Sequence, residues 1–171
     1  MSDSSGNYTI PSIPYDFEYQ VDASDWDGYY VYEYWEEAAY GGDATPVTTS
    51  AQTPDITGID FSLELGGAIS GTLTDADSGL PVSDVQVYVD NVEYFGYAYS
   101  AADGIYISGG LPAGSYTVEV TNDSSYADEY YDSRMSWFYA DEVVVTAGQM
   151  TSGIDFQLDP GGSVTGTVTE A

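Results

Sequence analysis

Cysteine, histidine and lysine are all absent from these 171 residues, and Arg134 is the lone basic side chain. Without cysteine no disulfide staples the fold, and the redox compartment is not written in the sequence. Without histidine, cysteine or lysine, imidazole relays, thiolate nucleophiles and Schiff-base chemistry are excluded, leaving a carboxylate pair as the one conventional acid-base device. One basic residue against 29 acidic ones gives a net charge of −28. Such a charge repels phosphate backbones and anionic lipid headgroups, so nucleic acid and membrane surfaces are poor partners. No apolar run reaches the roughly 18 residues of a membrane helix. The opening MSDSSGNY lacks the basic and apolar parts of an export signal, which places any such signal upstream of this chain.

What the chain does have is aromatic and β-branched. Its 18 Tyr, 3 Trp and 5 Phe, with 43% apolar residues, argue against disorder and for a buried core. Self-repulsion of the charge suits a salty or calcium-containing exterior, the simpler alternative being an acidic surface that keeps a secreted protein soluble.

The stretch GGAISGTLTDA from Gly66 returns as GGSVTGTVTEA from Gly161, a period of 95 residues. At the same offset, Gly58-Ile59-Asp60-Phe61 matches Gly153-Ile154-Asp155-Phe156. Gly6-Asn7-Tyr8 matches Gly104-Ile105-Tyr106 at an offset of 98 residues. Fixed-period self-similarity identifies a tandem array. The chain divides into residues 1–65, the last four strands of a repeat, residues 66–160, a complete repeat, and residues 161–171, the first strand of a further repeat or a donor strand.

Within residues 66–160 short runs rich in Val, Ile, Thr and Tyr are punctuated by Gly, Pro, Asp and Asn. Seven strands are expected, at Ala68–Thr74, Asp84–Val89, Glu93–Tyr99, Ile105–Ser108, Ser115–Thr121, Glu142–Thr146 and Gly153–Leu158. Strict alternation, as in Val85, Val87 and Val89 against Gln86, Tyr88 and Asp90, gives each strand one buried and one wet face. No stretch carries a helical stripe, so the fold class is all-β: tandem seven-stranded Greek-key sandwich repeats, the first incomplete. The connection Asn122–Asp141 is long for a compact domain, and its Tyr130, Tyr131 and Trp137 are expected to fold it onto the sandwich. Tyr34 and Trp35 stand in the matching place of the first repeat.

Gly71-Thr72-Leu73-Thr74-Asp75, Gly79-Leu80-Pro81-Val82, Asp103-Gly104-Ile105-Tyr106 and Gly110-Leu111-Pro112-Ala113-Gly114-Ser115-Tyr116 together resemble the carboxypeptidase regulatory-like and collagen-adhesin B-type repeats. These are transthyretin-like sandwiches of prokaryotic surface proteins. The resemblance implies a rigid spacer, adhesive or fibre-forming module outside the cell, without peptidase activity. Some relatives cross-link themselves through Lys–Asn isopeptide bonds, which a chain without lysine cannot form.

Three kinds of site are expected. Asp22, Asp25 and Asp27 around one turn, and Asp75, Asp77 and Asp103 at one end of the second sandwich, offer the oxygen ligands calcium takes, set against the plainer role of acidic residues in turns. Tyr34, Trp35, Tyr130, Tyr131 and Trp137 could stack on a glycan or pack within their loops. Asn7 and Asn122 lie in glycosylation sequons. Glu36-Glu37, Asp128-Glu129 and Asp77-Ser78-Gly79 are read as solvated acids and a turn, so no enzyme is expected. Residues 1–65 lack the first three strands of their sandwich, and an open sandwich invites a strand from another chain. The tail strand, through Val164, Gly166 and Val168, is the candidate donor, which would build a pilus-like filament, stalk or surface fibre from copies of the chain.

Overall fold

Alternation of β-branched and polar residues carries residues 67–158 into strands, while the rest forms only short ones. The computed structural model describes residues 1–38, 43–121 and 125–170. They fall into two units, Met1–Ser24 with Tyr32–Leu63, and Asp25–Val31 with Glu64–Ala171. The first unit contains four two-residue strands, β1 (Glu18–Tyr19), β2 (Asp22–Ala23), β3 (Glu33–Tyr34) and β4 (Val47–Thr48). β1 pairs antiparallel with β4, and β2 with β3.

The second unit holds nine strands. They are β5 (Gly67–Asp75), β6 (Gln86–Asp90), β7 (Phe95–Tyr99), β8 (Ile105–Leu111), β9 (Gly114–Thr121), β10 (Glu129–Tyr130), β11 (Val143–Val145), β12 (Met150–Ser152) and β13 (Phe156–Leu158). One sheet is built on β5, which is antiparallel to β8 along one edge and parallel to β12 and then β13 along the other. The second sheet runs β7, β6, β9, with β11 and β10 sharing the far edge of β9. Side chains from both sheets merge into one core, with Ile69, Leu73, Tyr106 and Phe156 from the first and Val87, Val89, Val118, Val120 and Val145 from the second. This is the two-sheet sandwich expected from strand spacing and alternation.

The expected strand Gly153–Leu158 starts earlier and is interrupted. Gly153 adopts φ +83°, a left-handed conformation open to glycine, and splits the segment into β12 and β13. At the break the Ile154 N–H donates to the Ser70 carbonyl (3.1 Å), and the Asp155 carboxylate accepts the Thr72 N–H (2.8 Å). The Ile154 carbonyl turns toward β5 and accepts the Tyr106 hydroxyl at 2.7 Å. That carbonyl would lie 1.8 Å from a Cβ at position 71. Glycine is therefore required in the middle of β5, where it would otherwise weaken a strand.

Gly71→Ala should cost about 2–4 kcal/mol, the sum of forced displacement in a packed core and loss of the Tyr106 hydrogen bond. Gly162→Ala, where an added Cβ meets nothing within 4 Å, should be neutral. Urea unfolding of the two variants beside the parent chain measures the difference.

Candidate functional site

The contact that locks β5 into the second unit has a counterpart in the first. Tyr8 donates its hydroxyl to the Ile59 carbonyl at 2.6 Å, as Tyr106 does to Ile154. Tyr8 and Phe61 lie 6.2 Å apart at 50°, and Tyr106 and Phe156 lie 6.4 Å apart at 54°. Gly58 has φ +82°, close to the +83° of Gly153. In both units burial, and then the carboxylate beside the ring (Asp60 or Asp155), push the tyrosine hydroxyl above its ordinary pKa. A turn recurs as well. Tyr34 bridges Ala38 across Glu36 and Glu37, and Tyr130 bridges Arg134 across Asp132 and Ser133, each inner pair at positive φ.

The two places differ in what lies beside the clamp. In the second unit β5 runs between β8 and β13, the strands that carry Tyr106 and Phe156, and is hydrogen-bonded to both. In the first unit residues 7–10 and 59–63 belong to no strand. An open groove of about 430 Å³ lies between residues 33–37 and residues 60–62, lined among others by Glu33, Trp35, Asp60, Phe61 and Ser62. Tyr8 and Phe61 are only partly covered, and Ile10 is more than half exposed.

The tail carries the matching sequence. Beyond Pro160, which bridges Tyr126, and Gly161, whose N–H reaches Ser125, residues 162–170 are exposed and form no strand. Val164 and Val168 are wholly solvent-exposed, and Gly166 stands between them with no atom near its open face.

The expected metal ligands are scattered, and among the described residues no group of three or more converges. Asp22 lies on β2 in the first unit, while Asp25 and Asp27 belong to the second. The Asp25 carboxylate accepts the N–H groups of Asp27 and Tyr29. Asp75 accepts both the N–H and the hydroxyl of Ser78 at 2.7 Å and the Tyr126 hydroxyl at 3.0 Å. These bonds, the Ser78 hydroxyl first, hold its carboxyl below the ordinary range. Asp103 accepts the Ile105 N–H, and Asp77 is exposed in the turn beyond β5.

The aromatic loop divides. Tyr126 and Tyr131 pack on the core, Tyr131 edge-on to Phe156 at 6.2 Å. Tyr130 lies on β10 opposite Glu119. Trp137 begins a 3-10 turn with Phe138 and Tyr139 in which all three rings face solvent, against the expectation that the loop folds down throughout. The first half is anchored by its β10 ladder to β9, and in the second Arg134 pairs with Asp141 at 3.0 Å in an exposed ion pair. Tyr34 meets Tyr32 edge-on at 5.1 Å, and Trp35 lines the groove. Asn7 is exposed and bonded to Asp3, and Asn122 lies outside the described residues.

Sequence reasoning missed one feature, an exposed aromatic row on β7. Phe95, Tyr97 and Tyr99 alternate with the inward Gly96 and Ala98, are each nearly 60% exposed, and continue onto Tyr88 of β6, 5.3 Å from Phe95. The signal was present as aromatic residues two apart on a strand.

The two-sheet sandwich, with its aromatic, acidic exterior, defines the class as a β-sandwich module. The chain belongs to the carboxypeptidase regulatory-like domain family, which is matched across residues 68–159. Among curated proteins none matches. Among solved structures, the chain is similar to the Bacillus anthracis TIE protein (16% identity, TM-score 0.43, 56% of this chain and 16% of that one). It is also similar to BcpA, the major pilin subunit of Bacillus cereus (12%, TM-score 0.41, 88% and 41%), and to GBS52, the minor pilin of Streptococcus agalactiae (10%, TM-score 0.36, 61% and 48%). The chain thus spans less than half the length of each.

One carboxyl is out of place for so acidic a surface. Glu129 on β10 is only 7% exposed, and burial, followed by the charge of Asp159, raises its pKa. A raised carboxyl favours the folded state as pH falls through its folded value, and at neutral pH its charge works against folding. Glu129→Gln should therefore raise the melting temperature at pH 7 by a few degrees. The gap to the parent should close as the pH falls to the ordinary carboxylate range, which thermal melts across pH 4–8 measure.

Proposed function

We propose that this chain is a non-enzymatic structural protein of the cell exterior, a tandem array of β-sandwich repeats that builds a pilus-like filament, stalk or surface fibre. The reading is carried by the recurrence in both units of one clamp, a tyrosine hydroxyl on an isoleucine carbonyl, at 2.6 Å and 2.7 Å. Repeated modules of this kind add length and stiffness. Membership of the carboxypeptidase regulatory-like family across residues 68–159 supports it. So does the side-chain chemistry: imidazole, thiolate and Schiff-base catalysis lack their residues, and the carboxylates of Asp25, Asp75 and Asp103 are engaged by backbone N–H groups. The charge of −28 fits a protein that meets salt and water rather than nucleic acid or lipid. Among the described residues no helix is long and apolar enough to cross a membrane.

A second reading is favoured by the exposed row Phe95, Tyr97 and Tyr99, an adhesive module that stacks these rings on a glycan. Asp90 and Gln86, directly opposite Phe95 and Tyr99, are placed to accept hydroxyl hydrogen bonds. Calcium, the other ligand of this reading, finds only separated carboxylates among the described residues.

Immunogold labelling of intact source cells should place the protein on their exterior, and proteinase added to those cells should remove it. Label confined to lysed cells would sink the structural reading. On a glycan array the adhesive reading expects binding that Tyr97→Ala weakens at least tenfold without lowering the melting temperature, and no binding to any glycan would remove it.

A further inference from the structure

We propose that two copies of this chain pair side by side through the free edge of β7, antiparallel and about a two-fold axis at Tyr97. The contact is made by the second unit alone, and it goes beyond the structural reading without depending on it.

One side of the β7 backbone is unused. Its ladder to β6 is bracketed by the Asn91 N–H on the Tyr94 carbonyl (2.9 Å) and the Ser100 N–H on the Val85 carbonyl (3.0 Å). Bonded and non-bonded pairs alternate along an antiparallel ladder. Gly96 and Ala98 therefore turn their polar backbone groups to β6, while Phe95, Tyr97 and Tyr99 turn theirs away from it. Among the described residues no strand takes up that edge.

Exposed edges are ordinarily guarded by shortness, charge, proline or a bulge. Such guards stand elsewhere in the unit: β10 has two residues, and β11, β12 and β13 have three each. The longer β8 shifts register against β5 between Gly67 and Ile69 and carries Gly110 at φ +70°. β7 has no such guard. Its five residues, Phe-Gly-Tyr-Ala-Tyr, hold neither charge nor proline in a chain whose net charge is −28.

Charge and symmetry select a second copy as the occupant. In the register that lays all of β7 against all of its mate, Tyr97 meets Tyr97 and Phe95 meets Tyr99, so aromatic residues face each other across the whole join. Continued past the strand, the same register sets Glu93 opposite Ala101 and Asp103 opposite Asn91, and no two carboxylates are opposed. A slip of two residues either way leaves part of the strand unpaired, and one of the two slips sets Glu93 against Asp103. Phe95, Tyr97 and Tyr99, each more than half exposed and spaced 6.4 and 6.0 Å along the row, lose water as the copies meet. A two-fold contact uses the same surface on both partners, so association stops at the pair. The net charge opposes the approach of two copies, and salt relieves it.

Sedimentation equilibrium of the whole chain should show monomer passing to dimer, and no further, as protein and NaCl concentrations rise. Proline is accepted in an edge strand where the N–H faces solvent, so Tyr97→Pro removes the donor on the axis, spares the ladder to β6, and should weaken the dimer at least tenfold. Tyr97→Lys keeps that donor and lowers the net negative charge, yet sets two ammonium groups face to face, and should weaken the dimer as much. Tyr97→Phe should pair as the parent does. The chain has no cysteine, so an introduced thiol reports the axis. Opposed residues in a bonded pair lie about 5.5 Å apart at Cα, within reach of a disulfide. Tyr97→Cys should therefore link two chains under mild oxidation much faster than Val92→Cys, although Val92 is the more exposed position. Monomers at every concentration, masses that grow beyond the dimer, or a dimer indifferent to both Tyr97→Pro and Tyr97→Lys would each overturn the proposal. A monomer that binds a glycan through these rings would overturn it too, while leaving the adhesive reading in place. Surface labelling of cells reads the structural role independently of this pair.

Discussion

The second unit depends on how one carbonyl is held. Ile154 leaves the strand path at Gly153, its oxygen is captured by the buried Tyr106 hydroxyl, and the space it takes is the space a side chain on Gly71 would need. Everything on either side follows. β12 and β13 can both pair with β5 only because the segment between them bulges toward it, and Tyr106 is buried with its hydroxyl satisfied only because that oxygen faces it. Phe156 then lies against the Tyr106 ring, and Tyr131 closes over it. A hydrogen bond of ordinary strength fixes the register of a sheet because its alternatives bury an unpaired hydroxyl and carbonyl.

The acidity is handled locally. A compact state at −28 is strained by self-repulsion, and little of that is relieved by ion pairs, since Arg134 is the single basic side chain. Carboxylates instead serve as acceptors for turn N–H groups. Asp3, Asp25, Asp75 and Asp103 each bond backbone within four residues, so their charges stabilise the turns that punctuate the strands. The same economy explains why acidic spacing that looks like a cation site need not be one: Asp75 is spoken for by Ser78 and Tyr126.

Much of the sandwich was legible from alternation. Val87 and Val89, or Val118 and Val120, could only face a core, and the structure buries them completely. The break at Gly153 was not legible, because Ser152 to Leu158 reads as continuous strand and the reason for the break lies on Tyr106, far away in sequence. Nor was β10, whose two residues pair only because β9 leaves an edge free. The aromatic loop misled for a physical reason. Tyr and Trp tolerate both burial and exposure, so composition alone cannot separate Tyr131, which packs on Phe156, from Trp137, which faces water. The period was visible as a string of letters, but what it demands of β5 at Gly71 was not.

That demand is a matter of exclusion more than attraction. Exposed strand edges bind indiscriminately, since every strand offers the same N–H and C=O groups. An edge with an inward carbonyl beside it is different, because a strand with any side chain at the facing position is refused while its neighbours Val, Ile or Leu are accepted on either side. Glycine, usually a weakness in a strand, becomes the feature that is recognised. In the second unit Ile154, held by Tyr106, makes this demand of β5, and Gly71 meets it.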